Sequence, residues 1–95
     1  MNIYLVDNNT RFGYDTYDSV VVVAESVDEA RKIHPSSFVT HVADGRWKGT
    51  NISGETYNTG DNEWVRYDEI DELVVELIGK TTREKGVVLA SFNAG

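Results

Sequence analysis

The sequence predicts a small α+β domain: a four-stranded, mainly antiparallel sheet with one principal helix, in the order β-β-α-insertion-β-β. Three observations predict it. The run Val20-Val21-Val22-Val23 lacks the alternation of a half-exposed strand. A capped, amphipathic stretch from Ser26 to His34 follows at once and stops at Pro35. Two further runs, Glu72–Ile78 and Gly86–Phe92, alternate as strands do.

The first strand is Ile3-Tyr4-Leu5-Val6, a short apolar run of strand formers. Asp7-Asn8-Asn9-Thr10 is turn chemistry. Arg11 to Asp18 reads as a loop pivoting on Gly13, and Ser19 to Ala24 as the second strand. Branching at Cβ stiffens χ1 and favours the extended state for the valines. Apolar side chains on both faces make this a central strand.

Ser26 fits an N-cap with Glu29 three residues on, the capping-box spacing in which each side chain satisfies the other residue's N–H. Asp28 and Glu29 suit the positive end of the helix dipole; Arg31, Lys32 and His34 suit the negative end. Val27, Ala30 and Ile33 share a face. Pro35 disfavours helix at His34, so the helix spans about eight residues, roughly 12 Å.

Residues 36–66 read as a polar, irregular insertion with at most one short hairpin, rich in Gly, Ser, Thr and Asn. A long irregular segment in a compact domain is often functional. Beyond it, Leu73, Val75 and Leu77 share one face of the third strand. The third and fourth strands are expected to pair as an antiparallel hairpin across Gly79 to Lys85. One short helix covers one face only in part. The second face therefore needs the insertion, with Trp47 and Trp64, or a second copy of the chain, and a homo-oligomer is the expectation.

Ninety-five residues form one domain, 1–95, with a modest core. Cysteine is absent, so there is no disulfide framework and no thiolate metal site. No basic region followed by an apolar core opens the chain, and no apolar run approaches a bilayer span. The expectation is a cytoplasmic protein with no membrane partner. In that setting the glycosylation patterns at Asn8 and Asn51 are chance matches. A net charge of −7 argues against binding a nucleic-acid duplex and allows a basic protein surface as partner.

Candidate binding residues fall in five groups. Tyr14-Asp15-Thr16-Tyr17-Asp18-Ser19 leads into the central strand, offering hydroxyls, carboxylates and flat contact area. It serves either as a grip on a small polar ligand or as a packed strand lead-in. In the first case Tyr17 and Ser19 share a face opposite Asp18, and Tyr17 with one aspartate points outward near Trp64 or Trp47. Those two tryptophans either fill the core or stack on a ligand. Asp61 to Glu72 holds six acidic residues opposed by Arg66 alone, as a polyanion mimic or a solvated loop. Asn93, just past the last strand, offers both a donor and an acceptor. Arg11, Arg46, Arg66 and Arg83 are available to neutralise phosphates.

No catalytic or metal motif is present. His34 and Ser36 or Ser37 lack the strand-turn-helix elbow of a serine nucleophile. His34 and His41 do not match a metal spacing. His34 reads instead as a helix C-terminal residue facing the last carbonyls. No enzyme activity and no cofactor are expected.

Met1-Asn2-Ile3-Tyr4-Leu5-Val6, the stretch Tyr14 to Ala24, Glu29-Ala30-Arg31-Lys32-Ile33-His34-Pro35-Ser36 and the final stretch Gly86 to Gly95 resemble a group of small bacteriophage and prophage proteins. The resemblance omits the insertion. It implies an accessory protein that antagonises bacterial immunity in the host cytoplasm, by sequestering a nucleotide-like signal or by occluding a host effector. It carries over no residue's role. On the first reading the ligand- or partner-binding residues are Arg11, Tyr14, Asp15, Tyr17, Asp18, Trp47, Trp64, Arg66 and Asn93. On the alternative, the acidic segment covers a basic surface of the effector, in the manner of an anti-CRISPR protein.

Overall fold

The computed structural model describes residues 1–8 and 16–93. Its larger sheet contains β1 (Asn2–Asp7), β2 (Thr16–Ala24), β6 (Val74–Lys80) and β7 (Gly86–Asn93). Between β2 and β6 lie α1 (Val27–Arg31), a small sheet of β3 (His41–Ala43), β4 (Arg46–Thr50) and β5 (Thr56–Asn58), and a 3-10 helix, Tyr67–Glu72. The chain is thus α+β, with a four-stranded antiparallel sheet as expected. The expected principal helix is short: α1 has 5 residues, and the 3-10 helix has 6.

The strand order is β6-β1-β2-β7, every pair antiparallel. β2 is central, as its unbroken apolar run demands. The expected hairpin of the last two strands does not form; β6 and β7 occupy opposite edges. The reason is burial. β1 and β2 carry apolar residues on both faces and gain most from two neighbours each. β6 carries Glu76 and Lys80, which an edge tolerates. From β6 to β7 is three strand spacings, about 14 Å. The connection Thr81–Lys85 reaches roughly 20 Å and crosses the sheet's end, where the Thr81 N–H donates to the Met1 carbonyl (3.1 Å).

Register puts Tyr4 and Val6 opposite Val22 and Val20, so these four share one face. All four are buried, with Ala24, Ala30, Trp47, Trp64, Val65 and Leu73. Ile3, Leu5, Val21 and Val23 share the other face; Val23 at its end is buried, Ile3, Leu5 and Val21 stay half-buried, and Val74 and Leu89 beside them are exposed. The insertion, one of the two candidate covers for this second face, packs on the same face as α1. Among the described residues, no helix and no small-sheet strand joins the second face to the core.

α1 starts as its sequence requires and ends early. The Ser26 Oγ accepts the Glu29 N–H (3.2 Å). Glu29 reaches back one residue further than a capping box does, accepting the Glu25 N–H (3.0 Å) instead of that of Ser26. The Lys32 and Ile33 N–H groups then bond three residues back, to Glu29 and Ala30, tightening and closing the helix.

The insertion is ordered where sequence reading leaves it irregular. Asp44 (φ 55°) and Gly45 (φ 69°) occupy the two positive-φ positions of a tight hairpin between β3 and β4. At Gly49 a Cβ would meet the Phe38 carbonyl oxygen at 2.6 Å, so close approach of the β4 backbone also requires glycine.

Gly60 is more constrained still. It sits at φ 90°, and a Cβ there would meet His34 Nε2 at 2.6 Å and Val39 Cγ2 at 2.8 Å. Gly60→Ala is expected to cost about 2–4 kcal/mol in urea unfolding, against about 1 kcal/mol for Gly45→Ala, where nothing lies within 4 Å. Equal losses at the two positions would mean that backbone conformation alone, and not the His34 contact, sets the requirement.

Candidate functional site

Both ends of the larger sheet carry functional candidates. At one end β2 begins beside the end of β7, with Thr16 opposite Asn93 and Tyr17 opposite Phe92. The Tyr17 N–H donates to the Glu63 carbonyl (2.9 Å), which brings Glu63 to Arg66 alongside. The Asn8 N–H donates to the Asp18 carbonyl (2.9 Å) and brings in the end of β1. Tyr17, Asp18, Arg66 and the Asn93 backbone therefore lie on strands and a segment that meet here. Arg11, Tyr14 and Asp15 lie outside the described residues.

The faces differ from the expected alternation. Between Tyr17 and Ser19 the β2–β7 register slips by one, leaving Asp18 as the extra residue of a bulge. The slip turns Tyr17 onto the core, where it is half-buried, while Asp18 is exposed. One aspartate thus faces outward as expected, and Tyr17 does not. Arg66 is exposed, with Nε 3.3 Å from both Asp68 and Glu69, so its charge is already shared by two carboxylates.

The tryptophans are buried in the core and not on the surface of this end. Trp47 is 1 % exposed and Trp64 fully buried, so neither offers a face for a ligand base. Trp47 Nε1–H donates to the Val65 carbonyl (2.8 Å), and Tyr67 packs edge-on to it with ring centres 5.2 Å apart. Trp64 Nε1 has no hydrogen-bond partner, an unmade bond that costs about 1–3 kcal/mol in a core.

His34 joins these rings to the exit of α1. Its ring lies edge-on to Trp47 at 5.0 Å and to Trp64 at 6.5 Å. The Ser36 N–H donates to Nδ1 (2.9 Å), so Nδ1 carries no proton. Nε2 therefore carries it and donates to the Gly60 carbonyl (3.0 Å). His34 was expected to face the last helix carbonyls; it is instead buried and held at both nitrogens by backbone. Burial lowers its pKa from 6.5 to about 4, although the Gly60 carbonyl and Asp61 pull the other way. Neither nitrogen is free to act as a base toward Ser36, whose Oγ accepts the Phe38 N–H (3.2 Å). His41 is exposed and bonds through Nδ1 to Thr40 Oγ1 (2.8 Å). Among the described residues no three His, Asp or Glu side chains gather as metal ligands. No helix among them is long and apolar enough to cross a membrane.

The other end of the molecule holds a groove of about 570 Å3 that sequence reading missed. Ile33 and Val39, over buried Trp47, contribute apolar surface, and Lys32, Lys85, Asp28 and Glu29 contribute charge. Its walls come from three separated segments, so no local pattern announces it. A signal did exist for one wall, since Asp44-Gly45 between two short apolar runs marks the hairpin that builds it.

Family models, curated proteins and solved structures contain no match to this chain.

The His34 geometry predicts a pH dependence. The unfolded imidazole takes a proton below pH 6.5, the folded one only below about 4. Between those values the unfolded chain binds more protons, so falling pH favours unfolding. The contribution is complete above pH 6.5 and shrinks as pH falls toward 4, by about 3 kcal/mol in all. Urea midpoints of the native chain and of His34→Gln, compared across that range, read it out. The native chain should show the steeper loss; parallel profiles would remove His34 as the cause.

Proposed function

We propose that this chain is a non-enzymatic binding protein that sequesters a small nucleotide-like signal, with a second copy of the chain completing the assembly. The setting, antagonism of bacterial immunity in the host cytoplasm, rests on the resemblance to small phage proteins. The observation that carries the sequestering reading is the convergence at one sheet end. Exposed Asp18 and the backbone of Asn93 meet there beside Glu63, over a floor of buried Trp64 and half-buried Tyr17, with exposed Arg66 three residues further along the Glu63 segment. A rigid floor spares a site the ordering entropy that a loose loop loses on binding. Tyr14 and Asp15 directly precede Thr16 in the chain, and Arg11 stands five positions before it. The tryptophans' part is support from below, since buried indoles cannot stack on a base.

The uncovered sheet face supports the second copy. Four strands of about six residues span roughly 400 Å2, the size at which apolar patches mark contact surfaces. Asp7 and Glu76, which share this face with Ile3 and Leu5, lie toward one end of β1 and β6, and the Met1 ammonium lies at the other. A two-fold apposition that runs the sheets in opposite directions brings unlike charges together.

The acidic reading has one observation in its favour. Asp68, Asp71 and Glu72 are exposed on the 3-10 helix, which half-buried Ile70 and buried Leu73 anchor. A basic effector docked there would dissociate steeply as salt rises.

Native mass spectrometry of protein purified from bacterial lysate tests the proposal. The expected result is a multiple of the 10.6 kDa chain carrying a small adduct that absorbs as a nucleobase. A bare single chain at high protein concentration would sink both parts. Asp18→Ala should remove the adduct with the thermal midpoint unchanged. Tyr17→Ala should lower the midpoint by about 10 °C, as loss of a half-buried ring costs roughly 2 kcal/mol. An unchanged midpoint for Tyr17→Ala would show that the ring is not part of the floor.

A further inference from the structure

We propose that the groove beside α1 takes an extended peptide segment of a partner protein, which adds as a strand to the free edge of β3. The first support is the groove's lining. His41 and Val42, consecutive residues of β3, border it, with Val39 and Thr40 just before the strand. Side chains alternate across a strand, so a strand face would contribute every second residue. Consecutive residues mean that the backbone edge itself fronts the groove. Among the described residues β3 pairs only with β4, so its outer N–H and C=O groups have no strand partner. An unpaired edge of this kind is the template for strand addition.

The opposite wall leaves room for the incoming backbone. Lys85 and Gly86 form it, at the start of β7. Gly86 has no side chain, and nothing lies within 4 Å of where a Cβ would stand. The floor offers half-buried Ile33 and Val39 with Trp47 beneath, a seat for one apolar side chain of every second peptide residue. Val42, 37 % exposed, forms the apolar lip.

The charges select against other ligands. Lys32 and Lys85 are balanced by Asp28 and Glu29. Glu29 is already engaged, accepting the Glu25 N–H and lying 3.9 Å from Lys85. A rim of zero net charge over an apolar floor favours neither a phosphate nor a polycation. It suits a neutral backbone with an apolar side chain. This site lies at the end of the sheet opposite the one assigned to the nucleotide-like ligand and does not depend on that assignment.

The test is a titration of the 15N-labelled protein with the blocked peptide acetyl-Lys-Val-Thr-Val-Thr-Glu-amide, followed by amide shifts. The expected shifts centre on Val39 to Ala43 and on Gly86. Methylating alternate peptide nitrogens removes donors and keeps every side chain, and it should weaken binding about tenfold when the donors face β3, and little when they face away. Val42→Asp places a charge on the lip and should weaken binding about tenfold as well, with an unchanged circular dichroism spectrum. If Val42→Asp unfolds, Lys85→Glu on the far wall gives the same comparison. No shift at these amides up to about 1 mM peptide, equal binding by both methylated series, or shifts confined to Leu5, Val21 and Leu89 on the uncovered sheet face would overturn the proposal.

Discussion

The second layer of this molecule hangs on one neutral imidazole. His34 leaves α1 and at once receives the Ser36 N–H on one nitrogen and gives its proton to the Gly60 carbonyl with the other. Two segments 26 positions apart are thereby tied through a ring that touches Trp47 edge-on. The tie needs three conditions together. Residue 60 must lack a side chain, the imidazole must be uncharged, and the turn through Pro35 must aim the Ser36 N–H at Nδ1. Failure of any one leaves buried polar groups unpaired, each costing about 1–3 kcal/mol. Trp47, Val39 and Gly60 then carry the small sheet down onto Tyr4, Val6, Val20 and Val22.

Because that layer sits wholly on one face, the molecule is one-sided. The covered face accounts for almost all of the buried side chains. Apart from buried Val23, the uncovered face keeps Ile3, Leu5 and Val21 half-exposed. A one-sided sheet has two natural consequences. It exposes an apolar surface for association, and it leaves both ends of the sheet open where connections cross. The bulge at Asp18 shapes one end, turning an aspartate out and a tyrosine in. The five-residue crossing from β6 to β7 shapes the other, and with α1 and β3 it frames the groove.

Legibility followed the range of the interactions. β1, β2, β6 and β7 were readable because each is an apolar run whose period is local. The start of α1 was readable because Ser26 and Glu29 act within one turn. Its end was not, because His34 is withdrawn by Gly60, a distant partner. Pairing of the last two strands was misjudged by weighing their nearness in sequence over the need of β1 and β2 for two neighbours each. The insertion reads as irregular with at most one short hairpin, because the polarity around Asp44-Gly45 outweighs that short-range turn signal. Among the site residues, Asp18 stands exposed as expected. Tyr17, Trp47 and Trp64 turn inward, since composition records an aromatic's presence and not its direction. A one-residue slip of register decided Tyr17, and no pattern in the sequence announces such a slip.

The imidazole can be questioned directly. Long-range proton–nitrogen NMR correlations of His34, recorded from neutral pH downward, report which nitrogen holds the proton and when the second arrives. The account predicts a single tautomer protonated at Nε2, with Nδ1 accepting, that persists until the pH approaches about 4. A proton on Nδ1, rapid exchange between tautomers, or titration near the ordinary value of 6.5 would contradict it.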